Sequence, residues 1–422
     1  MGKKFSVGAA VSVSAITAAI AVSLTYVYAM DSFNRKVADI NERQAMYQKL
    51  SEIDQKARRD YIGSIDESAL TDGICAGYAA GLGNSHAQYL SARKYKEYVA
   101  ANGAKTVGVG VRTVQDADGN MEVTEVMPNS PAEKAGIRKG DVIVAMDGKE
   151  IVRITYGAAL NRLEGTAGTK LTLGLLRRGA DGAAASSGAS KSFSVTVTRA
   201  EYTERTITSA MLGGNVAYLR ISGFTQNTPN NFSRALNQMT DKGASGLLID
   251  LRSNPGGDVP AAAAVLDLLL PAGNTVSRRD KSGRVTVEQV SKPGEINLPV
   301  ALIVNGGTYG AAEIFAADIR DFKKGLVVGT KTAGYGTKDE AVPLSDGSAL
   351  LLPVAEYVTL SGRTFNGTGV VPDREKDLTD DQRSRFVRNR LSYAEDPQIQ
   401  AGIAALLQQG AAAGSAPAGS SR

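Results

Sequence analysis

Apolar positions follow three regimes along the chain. Residues 5–30 carry no charge and sit behind Lys3 and Lys4. As a helix that run spans about 39 Å, against a hydrocarbon core of roughly 30 Å. Residues 35–100 then read as helices. Residues 42–57 put Met46, Leu50 and Ile53 on one face, and a second helix from Ser68 carries Cys75, Tyr78 and Leu82 until the glycines at 81 and 83 break it. From Glu201 onward short apolar runs alternate with helical periods: strands over 216–221, 246–251 and 299–304, and helices over 230–242 and 259–269. Alternation of this kind predicts an α/β core.

Between these regions, Val107, Gly108, Val109, Gly110 and Val111 form a glycine-punctuated loop running into a strand. Successive backbone N–H groups freed by glycine can converge on a carboxylate, and the strand edge can pair with an extended peptide. A capped helix over 129–136, the run Lys139-Gly-Asp-Val-Ile-Val-Ala-Met-Asp-Gly148 and a helix over 156–163 follow in order. That order resembles a PDZ module, with a flexible hairpin tip expected at 179–190.

A second motif begins at Ala301. A buried strand, the turn Gly306-Gly-Thr-Tyr-Gly310 and a helix from Ala311 make a strand-turn-helix elbow, which aims one residue at a cleft and offers helix N–H groups to an oxyanion. Asp250-Leu-Arg-Ser-Asn-Pro-Gly-Gly257, after the apolar run 246–249, supplies a second glycine turn. Together with Gly329-Thr-Lys-Thr-Ala-Gly-Tyr-Gly336, these segments resemble the carboxyl-terminal processing peptidases, also called tail-specific proteases. The resemblance covers about residues 40–405. It implies a serine nucleophile at the position of Gly310, a lysine base at that of Tyr335 and an orienting glutamine at that of Asp339. All three are replaced here. Gly256, Gly257 and Ala311 are the oxyanion-hole candidates.

Thr308, Lys331 and Lys338 are the nearest residues that could stand in for the missing pair. A tight turn and a strand direct neighbouring side chains elsewhere, which argues against them. Ser253 and Ser291 read as surface or turn residues. Asp250 reads as the holder of a strand end, and Asp339 as an acceptor for Tyr335.

Composition narrows the function. The chain has 422 residues, 43% of them apolar and 22% charged, with a formal charge of +5. These values fit an ordinary multidomain globular protein. Basic residues are scattered, which gives no nucleic-acid signature. One Cys and one His cannot build a disulfide or a metal site, so no metal and no cofactor is expected. His86 and Cys75 read as a turn residue and a small packed residue.

The expected organisation is a multidomain α+β and α/β chain. A signal anchor occupies 1–34, a helical N-terminal region 35–104, a PDZ-like β-sandwich module 105–200, a mixed α/β processing-peptidase core 201–377, C-terminal helices 378–409, and a disordered tail 410–422. The long uncharged run, with Tyr26 and Tyr28 at its outer end, favours an uncleaved anchor over a cleaved signal peptide. The expected location is then the cell membrane, single-pass with the bulk extracytoplasmic; the alternative is secretion after cleavage. The expected partners are protein C-terminal peptides, with a homodimer or an active protease relative as further possibilities by resemblance. The chain is expected to be catalytically inactive or impaired, the alternative being an active serine-type endopeptidase with a displaced nucleophile.

Overall fold

In the computed structural model the described residues are 7–101, 106–177 and 191–409. The expected hairpin tip and terminal tail lie outside them. Two compact units divide the chain, residues 1–77 and 78–422.

The first unit is helical. One helix runs Val7–Asp60, and Glu67–Gly81 begins the next. Arg58 joins them, bonding Asp54 at 2.8 Å and Glu67 at 2.6 Å. Met46, Leu50 and Ile53, expected on one face, are exposed. Among the described residues no helix is long and apolar enough to cross a membrane.

In the second unit, an antiparallel sheet runs in the order 111–115, 121–126, 142–146, 170–177 and 191–198. Its inward side chains, among them Met121, Val123, Ile143, Leu171, Leu173 and Leu175, share a core with the helix Tyr156–Leu163. Strand alternation of apolar and polar residues, as in Leu171-Thr-Leu-Gly-Leu, places one face inward. Ser130 caps the short helix Pro131–Lys134 by accepting from Glu133 N, while Glu133 accepts from Asn129 N at 2.7 Å.

The core sheet has the order 207–212, 216–221, 246–250, 300–304, 325–329 and 374–375, and every pairing after the first is parallel. Helices cover both faces, so its strands read as continuous apolar runs. Period two still decides the partner. Val300, Leu302 and Val304 pack with the helices Thr228–Asp241, Val259–Leu269 and Ala311–Asp321, while Ala301 and Ile303 meet Ile399, Ala405 and Leu406 of the helix Pro397–Gln408. A further sheet joins 88–90, 349–358, 273–280 and 285–291, with 337–343 paired to 349–358. It carries Asp339, and the loop before 337–343 carries Tyr335, so this sheet positions the second half of the site.

Candidate active site

The elbow is built as its sequence suggested. Thr308 is fully buried; its hydroxyl donates to Leu251 O at 2.8 Å and accepts from Asn305 N at 3.0 Å. Asn305 Oδ1 accepts from Gly307 N and from Ser253 N, which ties the turn to the glycine motif. Gly310 is the N-terminal cap of the helix Ala311–Asp321, with φ 55° and ψ −116°. This conformation is strained for a residue with a side chain. A Cβ built on Gly310 would meet nothing closer than Tyr335 Cδ1 at 3.8 Å, so a side chain there is limited by backbone strain and not by space.

The glycine turn lies against the elbow. Buried Asn254 accepts from Gly256 N at 2.8 Å, donates to Ile221 O at 2.9 Å, and receives Tyr309 N on its carbonyl at 3.0 Å. A Cβ on Gly256 would sit 2.7 Å from Tyr309 O, and one on Gly257 would sit 2.2 Å from Phe224 O. Backbone approach therefore requires glycine at both positions. The amide of Gly256 is spent inside the turn, which removes it from the oxyanion candidates. Gly257 forms a parallel bridge with Phe224 whose bonds come from its neighbours, Phe224 N to Gly256 O and Asp258 N to Phe224 O. Its own N–H and that of Ala311 have no acceptor among the described residues, so these two amides are the available donors.

Glu313, in the first turn of the helix Ala311–Asp321, is the clamp of the site. It is fully buried. Its carboxylate accepts from Thr332 Oγ1 at 2.5 Å, Gly334 N at 2.6 Å, Tyr335 N at 2.7 Å and Gly310 N at 3.1 Å. One carboxylate thus holds the elbow slot and the base-slot loop together. The signal for it was present as a Glu three residues past a helix cap.

At the base slot, Tyr335 donates its hydroxyl to Asp339 Oδ2, and Thr337 Oγ1 donates to the other carboxylate oxygen at 3.3 Å. The Tyr335 ring stacks on Tyr309, 4.3 Å between centroids and 9° between planes. His86 packs on Tyr335 at 4.0 Å, and its Nε2 lies 3.2 Å from the Tyr309 hydroxyl. His86 lies on a turn, as expected, and that turn brings the only histidine of the sequence against the two tyrosines. Burial, joined by the Asp339 bond, pushes the Tyr335 phenol well above its ordinary value. Burial and then the charges of Asp339 and Glu313 push Tyr309 up to about 12. A phenol raised this far stays protonated at neutral pH, so Tyr309 is no base.

The substitute candidates are placed as follows. The Thr308 hydroxyl is committed to the turn, Lys338 is paired with Glu288 at 2.7 Å, and Lys331 is exposed. Ser253 is exposed in the turn, with φ 55°. Ser291 is not a surface or turn residue; it is a buried strand residue donating to Leu270 O at 2.9 Å. Asp250 holds the strand end as expected. It is fully buried and accepts from Arg252 at 2.5 Å and from the Tyr218 hydroxyl at 2.7 Å.

The Val107–Val111 loop is partly closed. Val107 and Gly108 pair with Glu201 and Ala200, and Val109 N donates to Leu163 O at 2.9 Å. Gly110, with φ 84°, keeps its N–H without an acceptor among the described residues. Among the described residues the strand starting at Val111 pairs on one side only, and Tyr156 donates its hydroxyl to Thr113 O at 2.8 Å.

A strand-turn-helix elbow facing a glycine turn, on a doubly covered parallel sheet beside a PDZ domain, defines a serine-peptidase scaffold. Residues 215–376 match peptidase family S41, and residues 122–177 match the PDZ domain. The chain thus carries a peptidase family S41 domain preceded by a PDZ domain, and its relatives are carboxy-terminal processing proteases. It is 28% identical to the carboxy-terminal processing protease CtpA of Bacillus subtilis, over 86% of this chain and 76% of that one. It is 29% identical to a carboxy-terminal-processing protease of Bartonella bacilliformis, over 79% of this chain and 76% of that one. Among solved structures it resembles a photosystem II D1 C-terminal processing protease, at 27% identity and TM-score 0.51, covering 82% of this chain and 92% of the other.

Proposed function

We propose that this chain binds the C-terminal ends of proteins without cutting them. The observation that carries the reading is the paired substitution at the elbow. Gly310 has no attacking atom, and the slot of its base holds a tyrosine hydrogen-bonded to Asp339. Nucleophile, base and orienting group act as a unit, so their joint replacement removes acyl transfer while leaving the binding surfaces. Free amides at Gly257 and Ala311 suit a negatively charged oxygen, and the Gly110 amide beside an unpaired strand edge suits a chain-terminal carboxylate.

Fluorescence anisotropy checks the binding. Peptides ending in small or apolar residues are expected to bind the full chain as free acids and to lose most of their affinity on C-terminal amidation. Equal affinity for both forms would remove the carboxylate from the reading.

The uncharged run 5–30 behind Lys3 and Lys4 supports an N-terminal membrane anchor with the domains extracytoplasmic. Full-length protein is expected to stay in the membrane pellet through carbonate extraction. A mature N-terminus at Met30 by mass spectrometry would show cleavage and refute the anchor.

A further inference from the structure

A cavity of about 820 Å³ opens between the PDZ sheet and the core, walled on one side by Thr113 and Val126 and on the other by Arg220, Phe224, Gly256 and Gly257. Its charged groups are unequal. Arg252 is held by Asp250 and Asp396, at 2.5 and 2.7 Å, and Arg112 reaches Glu125 at 3.4 Å. Glu204 lines the wall without an ion pair among the described residues. Arg205 is exposed on the wall without an ion pair among the described residues, whereas Arg220 is half-buried, its guanidinium 5.0 Å above the Phe386 ring. It makes no hydrogen bond or ion pair among the described residues, and its Nε is buried with no partner. A buried donor without an acceptor calls for an explanation, and for Arg220, which faces the cavity, an acceptor arriving from that cavity supplies one.

We propose that Arg220 receives a carboxylate of the bound peptide, which rests on the C-terminus-binding reading and names the chemistry of its ligand. The guanidinium is a planar fork matched to a carboxylate, and Phe386 beneath it fixes the fork's plane. Because Gly257 lies on the same wall, a chain seated on Arg220 runs along the glycine turn whose amide is free. The carboxylate is either the chain end or an acidic side chain, and the two share this recognition.

Full chain in detergent is titrated with one apolar-ended labelled peptide carrying a glutamate, with its Glu-to-Gln counterpart, and with both as C-terminal amides. Wild type is expected to lose about tenfold in affinity when the carboxylate that Arg220 reads is neutralised. Arg220→Gln should no longer make that distinction, and Arg220→Lys should keep part of it. A distinction between acid and amide that Arg220→Gln abolishes identifies the chain end, and one between glutamate and glutamine that it abolishes identifies the side chain. Discrimination that survives unchanged in Arg220→Gln overturns the proposal and leaves peptide binding standing, as does wild-type binding indifferent to both carboxylates. Failure of every peptide to bind overturns both readings. Should Arg220→Gln fail to fold by circular dichroism, the Arg220→Lys titration decides: undiminished discrimination refutes the role of the fork.

Discussion

Unaltered protein is expected to release no fragments from casein-like or tail-bearing substrates. Gly310→Ser with Tyr335→Lys and Asp339→Gln is expected to gain turnover at least about a thousandfold above background, since removing such a unit costs orders of magnitude. Gly310→Ser alone should give little. It fits the open space beside Tyr335 but pays roughly 1–2 kcal/mol for a side chain at φ 55° and has no base to activate it. Tyr335→Lys supplies the base and dismantles the stack on Tyr309, while Asp339→Gln removes a carboxylate that would hold the lysine protonated. The three changes should therefore be strongly non-additive. Turnover by the unaltered chain, abolished by Thr308→Ala or Lys331→Ala, would refute the inactive reading.

Arg252→Ala is expected to destabilise the protein by about 3–5 kcal/mol, read as a shifted urea midpoint. Arg252 is 1% exposed, bonds Asp250, Asp396 and Gln398, and lies 4.3 Å from the Phe386 ring centroid. Removing it strands two buried carboxylates, one at the end of a core strand and one capping the C-terminal helix. In the wild type, burial by itself raises the Asp250 carboxyl, but the charge and hydrogen bonds of Arg252 outweigh it and hold the group below its ordinary value. Such a group adds stability above its unfolded value near 4, and that stability is lost as pH falls through the lower folded value. Wild type should thus lose this contribution only in acid, whereas Arg252→Ala should lack it at neutral pH. An unchanged midpoint in Arg252→Ala would show that the network contributes nothing net.

Much of the molecule was legible locally. Runs such as Val300–Val304 announced buried parallel strands because helices on both faces leave no polar side, and the elbow and glycine turn were readable because their backbone conformations demand particular residues. The same reading singled out Gly310, Tyr335 and Asp339 and expected the Tyr335 to Asp339 bond, which the structure contains, four residues apart on one segment. It misplaced Ser291 and, although it put His86 on a turn, missed the contacts of that ring, which come from distant segments. His86 meets a residue 223 positions away, and no local period encodes such a contact.

By itself, then, the sequence determined the PDZ and peptidase modules and their order, because propensity, periodicity and motif chemistry are properties of neighbours along the chain. Only the tertiary structure decided which amides remain free, that Glu313 clamps both halves of the site, that His86 and Tyr309 pack the base slot, and that Arg220 is left without an acceptor. Those outcomes depend on the direction of each backbone N–H and on which distant side chain fills the space in front of it.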